Sequence, residues 1–125
     1  FTESAAEVWK RLQPAQQEQI TKAYFSKEAG CLGYTLGRTH MNSCDFSRGN
    51  WSCCDTPGDT QLATFSIARY QDDILPMLRS AQAAAGQPLQ LLFSPWSPPA
   101  WMKDTGQMCQ GGRLLPSLRG AWARH

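Results

Sequence analysis

Long apolar runs are missing from this 125-residue sequence, and no stretch approaches the roughly twenty residues that a membrane-spanning helix needs. The start also lacks the charged and then apolar pattern of a secretory signal peptide. The twelve Lys and Arg residues stand singly among ten Asp and Glu residues, so no basic stripe could follow a phosphate backbone. These absences argue against a transmembrane segment and against nucleic acid as a partner.

Motifs that bind metals are missing as well. The five cysteines form no C-x-x-C pair, and only two histidines are present, so the sequence offers no zinc site. Free thiols are the simplest interpretation of Cys31, Cys44, Cys53, Cys54 and Cys109, and a disulfide between two of the four loop cysteines is the alternative. The cysteines therefore do not identify the cellular compartment.

What is present fits one globular domain, because 42% of the residues are apolar. The sequence starts at Phe1 rather than at Met, and its end falls inside a predicted helix that has no Gly or Asn stop signal. We therefore expect this chain to be a piece of a longer protein.

Hydrophobic periodicity and turn residues predict helices at residues 2–12, 14–25, 72–85 and 116–124, and strands at 34–39 and 89–93. Residues 42–66 form a connection much longer than usual, which is typical of a functional loop. Helices that alternate with strands indicate an α/β fold with a parallel sheet. Two strands cannot close such a sheet, so we expect part of a doubly wound sheet or, given the long loops after the strands, a fragment of a (β/α)8 TIM barrel.

A loop stiffened by three prolines follows the second predicted strand and carries Trp96 and Trp101. Loops at the carboxyl ends of parallel strands are where α/β proteins bind small ligands. Indole rings in such a loop most often stack on sugars or bases. The alternative is that both tryptophans are core aromatics.

Arg38 is predicted at the carboxyl end of the first strand, and Asp45 lies in the loop that follows. An arginine there can hold a carboxylate or a sugar hydroxyl, and an ionised aspartate can accept two hydroxyl hydrogen bonds from one sugar. A structural ion pair together with an Asx turn would explain the same pattern. His40 faces the same side of the strand as Arg38, and a single histidine without a partner is more often structural than catalytic.

Three segments together resemble glycoside hydrolase family 30, with the glucosylceramidase branch as the closest likeness. In chain order they read FTESAA at residues 1–6, LGYTLGRTHMNSCDFS at 32–47 and SPWSPPAWMK at 94–103. The second and third motifs are long and specific. Family resemblance is weakest at residues 51–64 and 107–115, two loops that would bear on leaving-group preference rather than on the fold.

This resemblance implies a retaining β-glycosidase on a (β/α)8 barrel with an attached β-sandwich. Arg38 resembles the arginine that supports the active-site floor, Asp45 the aspartate that binds glucosyl hydroxyls, and Trp96 the tryptophan that bounds the same subsite. Glu3 resembles an acidic residue at the end of the first barrel strand, and we add Trp101 as a further substrate-binding candidate.

Residues 1–125 are then expected to be part of the catalytic domain, truncated at both ends, from the end of the first barrel strand to the helix after the third. Retaining hydrolysis needs two carboxyl groups about 5–5.5 Å apart. The four glutamates all fall within the first 28 residues and none stands in the Asn-Glu-Pro setting of the family's acid/base, so no catalytic residue is expected here. No metal or organic cofactor is implied.

The expected substrate is a β-glucoside or a glucosylceramide-like glycolipid, with peripheral contact to lipid and a secreted or lysosome-like location implied by the resemblance. A β-1,6-glucanase or a xylanase of the same family is an alternative. A non-catalytic sugar-binding protein is another.

Overall fold

The computed structural model describes the whole chain, Phe1–His125. Its helices are α1 (Glu3–Lys10), α2 (Pro14–Phe25), α3 (Ile74–Ala85) and α4 (Arg119–Arg124), and its strands are β1 (Leu36–Met41) and β2 (Gln90–Pro95). Short 3-10 turns lie at Ala68–Asp72, Ala100–Met102 and Pro116–Leu118. None of the helices is long and apolar enough to cross a membrane.

Local sequence explains where the first two helices begin. The Thr2 hydroxyl caps α1 by accepting a hydrogen bond from the Ala5 N–H at 3.2 Å. Pro14 occupies the first turn of α2, where its missing N–H costs nothing. The predicted bounds of α2 are confirmed, whereas α1 ends two residues before the predicted Leu12.

The other predicted bounds need small corrections. The helix predicted from Asp72 begins at Ile74, because Asp72 belongs to a 3-10 turn and Asp73 caps the helix. Gly86 ends this helix in the left-handed conformation, with φ 64°. The helix predicted at 116–124 begins as a 3-10 turn at Pro116–Leu118, and α4 follows it directly at Arg119.

The strands β1 and β2 pair in parallel, with Leu36 opposite Gln90 and Met41 opposite Pro95. Parallel pairing confirms the predicted β/α arrangement. Both strands end two residues beyond their predicted ends, and they begin two residues (β1) and one residue (β2) later than predicted. The last residue of β2 is Pro95, and proline is tolerated at the end of a strand on a sheet edge.

The core lies between the sheet and α3. It is built from six buried residues, namely Ala6, Trp51, Cys53, Tyr70, Ile74 and Leu78. Successive strand residues point to opposite faces of the sheet. On the face away from this core, Leu36 and Leu92 remain 67% and 58% exposed. An apolar sheet face left open to this extent is expected for part of a barrel whose interior is filled by layers of side chains from eight strands.

Candidate functional site

The loops after β1 and β2 meet at the carboxyl edge of the sheet and enclose a cleft of about 430 Å³. Its floor comes from the first loop and one wall from the second; the residues concerned are Ser43, Cys44, Asp45, Ser47, Trp96 and Ser97. A cleft of this size at this edge is where TIM-barrel enzymes place their active sites.

Asp45 and Trp96, predicted separately from two motifs, line this one cleft. The Asp45 side chain is exposed, and none of the six ion pairs of the chain includes it. The ion pair between Arg38 and Asp45 that the sequence left open is therefore not formed. An unpaired carboxylate beside an indole that is 41% exposed can accept hydroxyl hydrogen bonds while the ring stacks on an apolar sugar face.

Arg38 supports Trp96 from below. Its guanidinium carbon lies 4.7 Å from the centre of the Trp96 ring, and one of its nitrogens donates a hydrogen bond to the Ser94 hydroxyl at 3.0 Å. This cation–π contact fixes the indole plane. Arg38 was predicted at the end of its strand, but β1 continues to Met41 and Arg38 lies inside it.

His40 is a structural residue. Its side chain is 1% exposed, and its Nε2 accepts a hydrogen bond from the Glu3 N–H at 3.2 Å. The other ring nitrogen contacts the Asn42 carbonyl and, with Nε2 as an acceptor, must carry the proton. A neutral imidazole held at both nitrogens has no free atom for catalysis.

Asn42 is the residue that sequence analysis missed. It is fully buried at the end of β1 with φ 62°, and its amide nitrogen donates to the Ser97 carbonyl at 3.2 Å. Its amide oxygen accepts from the Cys53 N–H at 2.9 Å, and the Tyr70 hydroxyl accepts from its backbone N–H at 2.9 Å. One side chain thus joins both loops of the cleft. The available signal was an asparagine directly after a strand, because asparagine tolerates left-handed backbone better than most residues.

Glu3 is placed behind the cleft and does not line it. Its carboxylate is 1% exposed, accepts a hydrogen bond from the Trp51 indole at 2.9 Å, and lies 3.5 Å from Arg48 and 3.4 Å from Arg69. Burial pushes the pKa of Glu3 up, but the hydrogen bond from Trp51 and the charge of Arg69 outweigh it, so the pKa lies below its ordinary value.

Trp51, whose indole donates to Glu3, also forms hydrogen bonds with the floor of the cleft. The backbone of Trp51 donates to the Ser43 hydroxyl at 3.1 Å and accepts from the Ser43 N–H at 3.0 Å. Ser43 lies two residues before Asp45 and lines the cleft. Glu3 therefore does not contact the cleft itself but supports its floor through Trp51.

Trp101 also lies outside the set of residues that line the cleft. Its indole N–H donates to the Cys54 carbonyl at 2.9 Å, so it ties the second loop to the first. The sequence prediction thus placed five substrate-binding candidates in one site. The structure brings Asp45 and Trp96 together in the cleft, whereas Arg38 contacts the Trp96 indole without lining the cleft, and Glu3 and Trp101 hold the loops.

The five cysteines are free thiols. Burial raises the pKa of Cys53 and of Cys54, which keeps these two thiols protonated and unreactive at neutral pH. Cys44 and Cys109 both line the cleft, and Cys109 is exposed. No group of three or more His, Cys, Asp or Glu side chains is arranged to hold a metal ion.

Comparison with known proteins gives consistent results. Residues 1–122 match the family model of the glycosyl hydrolase family 30 TIM-barrel domain. A Caenorhabditis elegans protein with the provisional name glucosylceramidase 4 is 36% identical over the whole chain and 25% of its own length. Mouse lysosomal acid glucosylceramidase is 34% identical over 82% of this chain and 20% of its own.

Two solved structures superpose on nearly the whole chain. SrfJ from Salmonella typhimurium superposes with a TM-score of 0.90 at 35% identity, over 99% of this chain and 27% of that one. An endo-β1,6-glucanase superposes with a TM-score of 0.83 at 26% identity, over 98% of this chain and 28% of that one. The chain spans about a quarter of the length of the curated relatives it matches.

Proposed function

The chain belongs to glycosyl hydrolase family 30, and from this premise we propose that residues 1–125 supply the sugar-binding part of the catalytic barrel of a retaining β-glucosidase. The observation that carries the proposal is the meeting of Asp45 and Trp96 in one cleft at the carboxyl edge of the sheet, with Arg38 beneath the indole. Asp45 and Trp96 are 51 positions apart in the sequence, and each lies in one of the segments that resemble the family.

Each of the three residues has a distinct part in binding. Asp45 accepts hydrogen bonds from two hydroxyls of one glucosyl unit, since its carboxylate makes no ion pair within the chain. Trp96 forms a wall against the sugar ring, and Arg38 holds that wall in place through its contacts with the indole and with Ser94. Contacts to sugar hydroxyls that strengthen in the transition state stabilise the oxocarbenium-like species more than the substrate.

The catalytic carboxyl pair comes from other parts of the enzyme. Glu3 is buried against Trp51, Glu7 pairs with Lys10 and Arg11, and Glu28 pairs with Lys22. None of the glutamates lines the cleft. Double displacement needs an acid/base and a nucleophile about 5–5.5 Å apart, and this chain offers no such pair at the site.

For Glu3 and Trp101 we assign positioning roles in place of direct substrate contact. Glu3 fixes the floor through Trp51, and Trp101 joins the two loops through Cys54. Both residues then affect sugar binding only by holding the loops that carry Asp45 and Trp96.

The substrate we propose is a glucosylceramide-type glycolipid, supported by the names of the glucosylceramidase relatives at 34% and 36% identity. A β-1,6-glucan is the second candidate, because a solved endo-β1,6-glucanase shares the fold at 26% identity. The cleft residues described here bind one sugar unit and are compatible with either substrate.

Hydrolysis assays on the full-length enzyme test the proposal. Glucosylceramide in detergent micelles and β-1,6-linked glucose oligomers are offered separately, and glucose and shortened oligomers are both measured. Glucose from the lipid alone supports the first candidate, and glucose or shortened oligomers from the β-1,6-linked substrate alone support the second. Tight binding of either compound without any hydrolysis would show a sugar-binding protein instead and would overturn the enzyme assignment.

A further inference from the structure

Lys103 is a buried cation without an acidic partner. Its side chain belongs to a residue that is 8% exposed, and it takes part in none of the six ion pairs. The ammonium instead donates a hydrogen bond to the Met108 carbonyl at 3.0 Å and lies 3.5 Å from the Ser97 hydroxyl. Burying a charge is costly unless it is hydrogen-bonded, so these two contacts offset the cost of burying the ammonium and fix its position.

The segment that Lys103 contacts lies in a loop that is closed by backbone hydrogen bonds at its base. At the base of the loop, Lys103 pairs with Leu114 in an antiparallel bridge, and the Asp104 N–H donates to the Arg113 carbonyl at 3.0 Å. Beyond this base, Gln110, Gly111 and Gly112 all adopt positive φ values. Above this base, the Lys103 ammonium contacts Met108 and Cys109 contacts Asn50, and these two contacts hold residues 108–110, here called the rim segment.

The rim segment forms the side of the cleft that Asp45 and Trp96 leave open. All three of its residues line the cleft, as does Ser97, the second partner of Lys103. Across the opening, the Cys109 sulfur lies 3.2 Å from the side-chain oxygen of Asn50 in the first loop. Lys103 thus sits where the Trp96–Ser97 wall and the rim segment are joined.

We propose that Lys103 is a positioning residue that fixes the rim segment as a wall of the cleft, and that this wall limits which group is accepted beside the glucosyl unit. The first half follows from the contacts of Lys103 alone. The second half rests on the proposed function, because it assumes that Asp45 and Trp96 hold a glucosyl unit. The rim segment lies in residues 107–115, where the resemblance to the family is weak. This is expected of a segment that affects leaving-group preference and takes no part in bond cleavage.

Thiol labelling of the full-length enzyme tests the first half. Lys103→Met keeps the length of the side chain and removes the ammonium, and the rate at which a maleimide labels Cys109 is followed by peptide mass spectrometry. We expect that rate to rise roughly tenfold, which corresponds to about 1.4 kcal/mol of lost anchoring. Lys27→Met is the matched control, because Lys27 also donates to a neutral oxygen, that of Gln87 at 2.8 Å, but on an exposed surface.

Cys31 serves as the internal reference for this labelling, since it is half-buried and does not line the cleft. An unchanged Cys109 rate would overturn the proposal. So would a rise at Cys31 as large as the rise at Cys109, because it would show a loosened fold rather than a released segment. If Lys103→Met does not fold, Lys103→Gln retains an N–H donor, and the same comparison with a smaller rise decides the question.

Substrate preference tests the second half. We compare kcat/KM for methyl β-glucoside and octyl β-glucoside, which differ only in the size of the leaving group. The ratio of the two values should change roughly tenfold in Lys103→Met, mainly through KM, and stay constant in Lys27→Met. A constant ratio together with faster Cys109 labelling would overturn the second half. If the wild-type enzyme hydrolyses neither glucoside, the proposed function fails, and the labelling result still decides whether Lys103 anchors the rim segment.

Discussion

At the scale of single residues, Asp45 carries the sharpest prediction. Asp45→Asn keeps the side-chain shape but removes a charged acceptor, which costs about 1.5–3 kcal/mol for each charged hydrogen bond lost. We expect kcat of the full-length enzyme to fall by about 10- to 100-fold with little change in KM, because the proposed contacts of Asp45 with sugar hydroxyls would tighten in the transition state. The melting temperature should hardly change, since the Asp45 carboxylate is in no ion pair.

The control for Asp45→Asn is Asp72→Asn, which changes an exposed aspartate in a 3-10 turn remote from the cleft. Steady-state kinetics and thermal melting are measured on both variants. Normal turnover by folded Asp45→Asn would end the assignment of this residue to sugar binding. A large loss of stability with normal turnover would instead assign it a role in the fold.

Trp96 gives a second prediction of a different kind. Trp96→Ala should lower kcat/KM for all β-glucosides by a similar factor, whatever the leaving group, because the proposed role of the ring is to bound the glucosyl unit itself. Trp96→Phe keeps an aromatic face and should restore most of the activity. If Trp96→Ala altered the ranking of leaving groups instead, the indole would belong to a different part of the substrate site.

Glu3 provides a prediction about pH. Its pKa in the folded protein lies below the ordinary value of 4.5, so the charged form stabilises the fold above that pH and the contribution is lost as the pH falls through the folded value. Glu3→Gln should therefore destabilise the full-length enzyme at pH 7, by about 1–3 kcal/mol, and by less as the pH drops below 4.5.

Denaturant unfolding at several pH values measures the Glu3 effect. Glu18→Gln is the control, because Glu18 is exposed and in no ion pair. A difference between wild type and Glu3→Gln that stays constant from pH 7 to pH 3 would show that the buried carboxylate does not contribute through its charge.

At the scale of elements, capping and periodicity predicted both ends of α2 and the end of α3, but not the end of α1 or the start of α3. The start of α2 follows from Pro14, whose backbone suits the first turn of a helix, and the end of α3 follows from Gly86, which adopts the left-handed conformation. The ends of the strands were less predictable, because pairing between β1 and β2 extends each strand beyond its own propensity. Tertiary contacts decide those boundaries.

Some residues of the candidate site could be predicted from local sequence, and others could not. Asp45 and Trp96 could be predicted because their motifs follow strands, and the carboxyl ends of parallel strands lie at one edge of a sheet. The roles of Glu3 and Trp101 could not, since each depends on a partner, Trp51 and Cys54, from the long loop that has no regular pattern. Asn42 shows the same limit, because its partners come from separate segments.

Gly86 allows the capping argument to be tested. A side chain added there would meet no atom within 4 Å, so the whole cost of Gly86→Ala comes from its positive φ, and we expect about 1–2 kcal/mol of destabilisation. Gly49→Ala is the matched control, with equally open space and no positive φ. Equal melting temperatures for the two variants would show that the end of α3 is not fixed by this glycine.

At the scale of the whole molecule, the chain is a section of a barrel in which two strands leave most of the sheet to be formed by other strands. On the sheet face away from the core, the apolar side chains Leu36 and Leu92 are each more than half exposed. Unpaired strand edges and an open apolar face favour association over a stable monomer. In the full-length barrel, neighbouring strands would pair with these edges and side chains of the interior would cover the face.

The residue 1–125 chain expressed alone should therefore bind poorly and catalyse nothing. We expect a broad thermal transition, self-association in sedimentation, and no turnover of a chromogenic β-glucoside, because the carboxyl pair is absent and the sheet is incomplete. The full-length enzyme under the same conditions is the control and should melt cooperatively and turn over. A sharp melt of a monomeric fragment would contradict the barrel argument. Turnover by the fragment would contradict the mechanism, since Asp45 is the one acidic residue that lines the cleft and double displacement needs two carboxyl groups.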